Sequence, residues 1–254
     1  MGKSSEVLGI DIGGSGIKSA PVDLKTGEMT APRFRVDTPD PAIPENVAEC
    51  IQEVSRHFEW TGKIGCGFPG VVRSGVVYTA PNIHPLWEGV DAQKLFHKVT
   101  GCQSLVINDA DAAGLAEMTF GAGRDHHKGI VLMLTFGTGI GSAVFIDGRL
   151  FPNTEFGHAE LHGKELEKRA AACVRDRKNL TWEEWGGRVN RVIQYLEMLM
   201  SPDLIIVGGG VSKDYKEFFP YLNLNAEVVP AQMRNQAGIV GAALAWSDEV
   251  LKSE

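Results

Sequence analysis

The sequence predicts an α/β protein built from a duplicated unit, with two lobes set around a cleft. Three observations carry that expectation. Short apolar runs that end in glycine turns alternate with helix-spaced segments over the whole length. "GGSGIKSAPVD" at 13–23 lines up with "GTGIGSAVFID" at 137–147; in each, a glycine turn leads into a strand and an aspartate at the same offset. Finally, 254 residues with 43% hydrophobic side chains suffice for one large domain or two closely packed lobes.

The elements follow in order. "VLGIDIG" and "IKSAPVD" read as strands around a glycine turn, and a third strand lies near "RFRVDT". Residues 44–57 open with a proline and repeat Val47, Ile51 and Val54 on one side, which predicts a helix. "KIGCGFPG" and "SLVIND" are buried strands, and Ala110 to Phe120 is an alanine-rich helix. The theme restarts with the strands "GIVLMLTFG" and "GSAVFIDG". Two helices follow, at about 163–178 and 181–200. Thr181 and Glu184 form a capping box for the second, and Val189, Val192, Ile193, Leu196 and Leu199 form its apolar stripe. Pro202 forces an exit, "LIIVGGG" is another buried strand, and a last helix runs from about Ala237 to Lys252. The lobes are expected at 1–108 and 109–254, with the helix at about 240–252 packing on the first.

Charge and cysteines narrow the classes. Lys and Arg total 25 against 32 Asp and Glu, a net charge of −7, so a generic nucleic-acid surface is not expected and an anionic ligand needs a local basic patch. No apolar run is long enough to span a membrane, and the N-terminus lacks the apolar region of a signal peptide. Cys50, Cys66, Cys102 and Cys173 are scattered without a CxxC pair and read as buried thiols in a reducing cytoplasm.

Three glycine loops stand at strand ends. "GIDIGGSGIK" is neither a Walker loop nor a Rossmann fingerprint, because GxxxxGK[ST] is absent and a strand follows. Its Gly13, Gly14 and Ser15 let backbone N–H groups approach an anion, Lys18 could reach a phosphate, and Asp11 could hold a hydrated Mg²⁺. A tight hairpin with ordinary surface charges is the alternative. Gly137, Thr138, Gly139 and Gly141 make a second cradle, and Gly209 and Gly210 follow the last apolar strand. In "VINDADAAG", Asn108 and Asp109 sit where a strand gives way to a helix. A carboxylate there could take the proton of an alcohol attacking a phosphoryl group, or could simply cap the helix. Glu155 and His158 in "NTEFGH" could hydrogen-bond a polyol; a metal is the alternative, since His158 and His162 are four apart, though no Cys cluster or HExxH motif accompanies them, and Asn82 stands in a turn.

These segments together resemble the ROK family of sugar kinases, within the actin-like ATPase and hexokinase (ribonuclease H-like) fold. "PNTEFGHAEL", "GKELEKRAAA" and "NLTWEEWGGRVNRVIQYLEMLMSPDLIIVGGGVSK" resemble its polyphosphate glucokinase group more closely still. The resemblance implies phosphorylation of glucose at the 6-hydroxyl, from inorganic polyphosphate and also ATP or GTP, with Mg²⁺. It implies Asp109 as general base, and Asn82, Asn108, Glu155, His158 and Glu167 as sugar contacts. It further implies a homodimer; the charge, hydropathy and cysteines above point to a cytoplasmic chain with no nucleic-acid or membrane partner. The cysteine cluster that binds zinc in many ROK kinases is replaced here by "LHGKEL", so no zinc site is expected. Rival readings are an ATP-dependent ROK hexokinase or glucomannokinase with little polyphosphate use, a sugar-sensing repressor, and a non-catalytic actin-like ATPase. The repressor would need a helix-turn-helix ahead of a first strand that begins by about residue 7.

"GHAELHGKELEKRAAACVRDR" gathers basic residues in an acidic chain. At about 100° per residue, Lys164, Lys168 and Arg175 fall within roughly 40° on one helix. That stripe could guide a polyphosphate chain, or be an ordinary solvated face.

Overall fold

The computed structural model describes residues 5–247. They form two compact units: one holds the chain as far as Ala116 and again from Gln236, the other holds Glu117–Asn235. Among the described residues, no helix is long and apolar enough to cross a membrane.

In the first unit β1 (Glu6–Gly13), β2 (Gly16–Asp23) and β3 (Phe34–Val36) are followed by α1 (Pro44–His57) and β4 (Ile64–Phe68). Next come the short hairpin β5 (Val72–Arg73) and β6 (Val76–Val77), then α2 (Ala92–Thr100), β7 (Ser104–Asn108) and the start of α3 (Asp109–Phe120). The sheet order is β3-β2-β1-β4-β7. β1, β2 and β3 pair antiparallel; β1, β4 and β7 pair parallel. α1 begins on its proline and buries Val47, Ile51 and Val54 against Leu8, Ile10, Ile12 and Ile17. α2 was not expected from the sequence. Its Asp91 accepts from the Lys94 N–H at 2.9 Å, and Gly101 closes it with φ +73°, a left-handed conformation that glycine adopts without strain.

The second unit repeats the plan. After α3 come β8 (Ile130–Phe136), β9 (Ile140–Ile146) and β10 (Arg149–Phe151), then the helices α4 (Glu167–Ala170), α5 (Ala172–Arg177) and α6 (Trp182–Met200). β11 (Leu204–Gly208), α7 (Tyr215–Phe218) and β12 (Glu227–Pro230) complete it. The sheet order is β10-β9-β8-β11-β12, again with an antiparallel half followed by a parallel half. The two glycine hairpins that echo one another in sequence are β1–β2 and β8–β9, so the echo reflects a duplicated sheet. The chain returns to the first unit as α8 (Ala237–Leu244), which lies on β1 and β4. The stretch expected to continue the last helix to Lys252 lies, past Ser247, outside the described residues.

Several expectations need correction. Residues 163–178 are not one helix. Leu161 and Lys164 exchange backbone hydrogen bonds, with His162 and Gly163 at positive φ, so the helix starts only at Glu167. It breaks at Ala171, which is extended (φ −53°, ψ 150°). The Cys173 N–H donates to the Gly137 carbonyl at 3.1 Å instead of continuing the helical ladder. A tertiary contact thus overrides a run of good helix formers. The α6 capping box is present, but its apolar stripe stops at Leu196; Leu199 is 59% exposed. Cys66 and Cys102 are buried, whereas Cys50 and Cys173 are only half-buried.

One buried carboxylate ties the second unit together. Glu117 on α3 is fully buried. Its Oε2 accepts from the N–H groups of Ala122 (2.9 Å) and Gln232 (3.1 Å), and its Oε1 from Met233 (2.7 Å). Glu117→Ala strands these donors in the interior and is expected to cost about 2 kcal/mol. The urea midpoint reads this loss, and an unchanged midpoint would show that water replaces the carboxylate.

Candidate active site

In the first unit the residues singled out gather at the carboxyl ends of the parallel strands, where α/β sheets bind ligands. The strand register sets Asp11 of β1 beside Gly67 of β4, and Phe68 beside Asn108 of β7. A methyl on Gly67 would stand 3.5 Å from the Asp109 Cα, so Asp109 heads α3 directly against β4. The helix cap is supplied by Asn108. Its Oδ1 accepts from the Ala110 (2.8 Å) and Asp111 (3.0 Å) N–H groups, and its Nδ2 donates to the Gly70 carbonyl at 3.1 Å. Asp109 accepts from the Ala110 N–H at 2.8 Å and stays half-buried. Capping of α3 therefore falls mainly to Asn108.

The first glycine turn is held from outside. Thr38 donates its hydroxyl to the Gly13 carbonyl, and Arg35 donates to the Ser15 carbonyl at 2.7 Å. Lys18 is the cross-strand partner of Asp11 and pairs with its Oδ2 at 3.2 Å. Asn82 lies beside this turn, its carbonyl 3.7 Å from where a Gly14 side chain would begin. Gly238, in the first turn of α8, sits against the Asp11 carboxylate. Asp11 thus meets the positive end of a helix as well as Lys18.

In the second unit, Gly137 and Gly139 close a tight turn (N–H to carbonyl, 3.0 Å), Thr138 accepts from the Cys173 thiol at 2.9 Å, and Gly141 pairs with Thr135 across β8–β9. Gly209 adjoins this loop. Its φ is +83°, and a side chain there would meet the Phe136 backbone at 2.3 Å, so only glycine fits. Gly210 starts the turn that follows. The cradles at 137–141 and 209–210 are therefore neighbours.

His158 stands among three carboxylates. Its Nε2 faces Glu155 at 3.9 Å, and its Nδ1 faces Glu165 at 3.8 Å and Glu167 at 4.0 Å. Burial pushes the Glu155 carboxyl above its usual range; the His158 charge opposes this and Glu167 adds to it. Glu165 is held below its usual range, first by a hydrogen bond from Lys168 at 2.9 Å. The sequence reading missed Glu165. The signal available was a second glutamate two residues before Glu167. His158, Glu165 and Glu167 bring ligand atoms within 4.8 Å of one another, a donor set that a divalent metal could take even without cysteines. Glu167 also reaches the glycine loop, for a methyl on Gly139 would meet its Oε2 at 2.5 Å.

The predicted basic stripe does not form as drawn. Lys168 is paired with Glu165, and Arg175 lies 3.6 Å over the Trp182 ring and bonds Asp176 at 2.9 Å. The single helix on which those angles were counted is two helices.

Twin mixed sheets, glycine turns at their strand ends and a carboxylate heading α3 define an α/β protein of the phosphate-handling, actin-like class. The chain belongs to the ROK family, whose sequence pattern matches residues 7–177. Over 239 residues it is 49% identical to the polyphosphate glucokinase of Mycobacterium tuberculosis (strain CDC 1551 / Oshkosh), covering 94% of this chain and 90% of that one. It is 45% identical to the inorganic polyphosphate/ATP-glucomannokinase of Arthrobacter sp. strain KM, whose crystal structure superposes with a TM-score of 0.91 over 98% of this chain and 100% of that one. A ROK family glucokinase from Streptomyces griseus, solved in complex with glucose and AMPPNP, is 26% identical with a TM-score of 0.80, covering 94% of this chain and 98% of that one.

Proposed function

We propose that this chain phosphorylates glucose at the 6-hydroxyl with inorganic polyphosphate as donor, and with ATP or GTP as further donors. The observation that carries the reading is 49% identity to a polyphosphate glucokinase along 94% of the chain. An alcohol is a poor nucleophile near neutral pH, and Asp109 takes its proton during attack. Asn108 fixes the strand end from which Asp109 acts and adjoins the sugar. Asn82, Glu155, His158 and Glu167 hold the hydroxyls; their mixture of acceptors and donors suits a polyol. The glycine turns at 13–15, 137–141 and 209–210 offer backbone N–H groups to phosphates, and Lys18 adds a charge.

Mg²⁺ binds through one or two carboxylates and keeps several waters. Asp11 suits that role: its side chain is 20% exposed, and only one of its oxygens is paired with Lys18. Bound there, the ion would offset charge on the donor phosphates.

Similarity to the Arthrobacter glucomannokinase supports mannose as a second sugar. The test is an initial-rate comparison of polyphosphate, ATP and GTP with glucose and with mannose in Mg²⁺. Phosphorylation of glucose from polyphosphate is the expected result. Transfer from nucleotides alone would leave an ATP-dependent hexokinase, and no transfer from any donor would remove the reading altogether.

A further inference from the structure

The revised geometry of residues 161–191 leaves a different set of cations together. The turn that carries Lys164 is rigid: Leu161 and Lys164 exchange backbone hydrogen bonds, and the Arg169 guanidinium donates to the carbonyls of Leu161, His162 and Lys164. α6 docks on α4 through the Trp185 indole N–H, which donates to the Ala170 carbonyl at 3.0 Å; Arg188 lies three residues further along α6. α5 docks on the first turn of α6 through Arg175 stacked on Trp182, and it ends in Arg177 and Lys178. Desolvation, and then the like charges of Lys178, Arg169, Arg188 and Arg177, hold the Lys164 ammonium below its ordinary range. The five cations thus stand on one turn and on α4, α5 and α6, which these contacts hold against one another.

Arg169 is engaged by backbone carbonyls. The other four make no ion pair among the described residues, whereas their neighbours Lys168 and Arg175 do. Glu184, one turn before Arg188, is bound to Thr181 in the capping box and feels the Arg188 charge without forming an ion pair with it. Unpaired like charges held on docked helices oppose folding. In a chain of net charge −7 they form a local field suited to an anion with many charges.

The cluster also has a fixed relation to the second glycine loop. The amino end of α5 is tied to that loop by Cys173, through its N–H to Gly137 and its thiol to Thr138. Its carboxyl end bears Arg177 and Lys178. Six residues of helix span about 9 Å, so the cations stand one short helix away from the cradle.

We propose that Lys164, Arg177, Lys178 and Arg188 form a subsite for the distal part of an inorganic polyphosphate chain whose reacting end lies in the Gly137–Gly141 loop. The proposal rests on the donor reading above. A long chain engages both places at once and gains from the linkage, whereas tripolyphosphate or a nucleotide reaches only the loop.

The test uses the full chain carrying Lys164→Gln, Arg177→Gln, Lys178→Gln and Arg188→Gln. The expected result is a KM for long-chain polyphosphate raised about tenfold, or roughly 1.4 kcal/mol of lost attraction. KM for tripolyphosphate, ATP and glucose stays unchanged, and the advantage of long over short chains in the unsubstituted protein shrinks as salt rises. An unchanged KM for the long chain would overturn the subsite. Equilibrium binding of labelled polyphosphate separates this from the donor reading. If the unsubstituted protein binds the polymer without using it, and the variant does not bind, the subsite stands and the donor reading falls. If both bind equally, the subsite falls alone; if neither binds, both fall. Should the quadruple variant fail to fold, Lys164→Gln with Arg188→Gln gives a smaller shift in the same direction, and no shift there overturns the subsite.

Discussion

Asp109→Ala is expected to lower kcat for glucose phosphorylation by roughly 10²–10⁴-fold while the protein remains folded. The two halves of this expectation have separate causes. The rate falls because no other group would take the hydroxyl proton during phosphoryl transfer, and a methyl cannot. The fold survives because α3 does not depend on Asp109 for its cap: Asn108 accepts the first N–H groups and anchors itself on the Gly70 carbonyl. The favourable charge lost at the helix N-terminus is worth about 0.3–1 kcal/mol, and alanine is a good residue for a first helical turn. Measuring kcat for glucose beside a melting curve separates the two. A variant that retains substantial activity would remove Asp109 from the role of base. A variant that melts far below the parent would make the position structural.

The sequence made the fold legible wherever local signals agreed with the tertiary structure. The paired glycine turns announced the two hairpins, and a proline, a capping box and apolar periodicity announced α1 and α6. Asn108 and Asp109 were visible because a strand of buried residues runs into an alanine-rich helix. Residues 161–178 were not legible, for a physical reason. Their propensities favour one helix, but Gly137, some 36 positions away in the chain, accepts the Cys173 N–H and breaks it at Ala171. Every angle counted along that stretch was then wrong, and with it the basic stripe. Lys168 and Arg175 have near partners that a helical wheel does not reveal, whereas α6, which carries Arg188, meets α4 through Trp185 on the Ala170 carbonyl, a long-range contact the wheel does not show. Glu165 escaped notice because its significance lies in facing His158, a contact set by the turn at 161–164.

Gly241→Ala is expected to be the most damaging of the small substitutions. α8 approaches its neighbours backbone to backbone. A methyl on Gly241 would lie 1.5 Å from the Ala112 carbonyl oxygen, and methyls on Gly9 and Gly65 of the strands would lie 2.0 and 1.8 Å from the Ile239 and Ala242 carbonyl oxygens. Those oxygens belong to helices and cannot swing aside as a flexible side chain would. The helix must shift as a body, which places the cost at the upper end of the usual range for overpacking, about 3 kcal/mol. For a chain of this size the melting temperature should fall by about 6–12 °C. The shift reaches the site as well, because Gly238, nearly one turn earlier in α8, already touches the Asp11 carboxylate; KM for the donor should therefore rise with the loss of stability. Gly187 supplies the opposite case. It lies within α6 with open space where a side chain would go, so Gly187→Ala gains only helix propensity and should stabilise by up to about 1 kcal/mol. The same chemical change thus carries opposite signs at two helical glycines. Equal melting temperatures for the two variants would mean that α8 can move away from α3 at no cost.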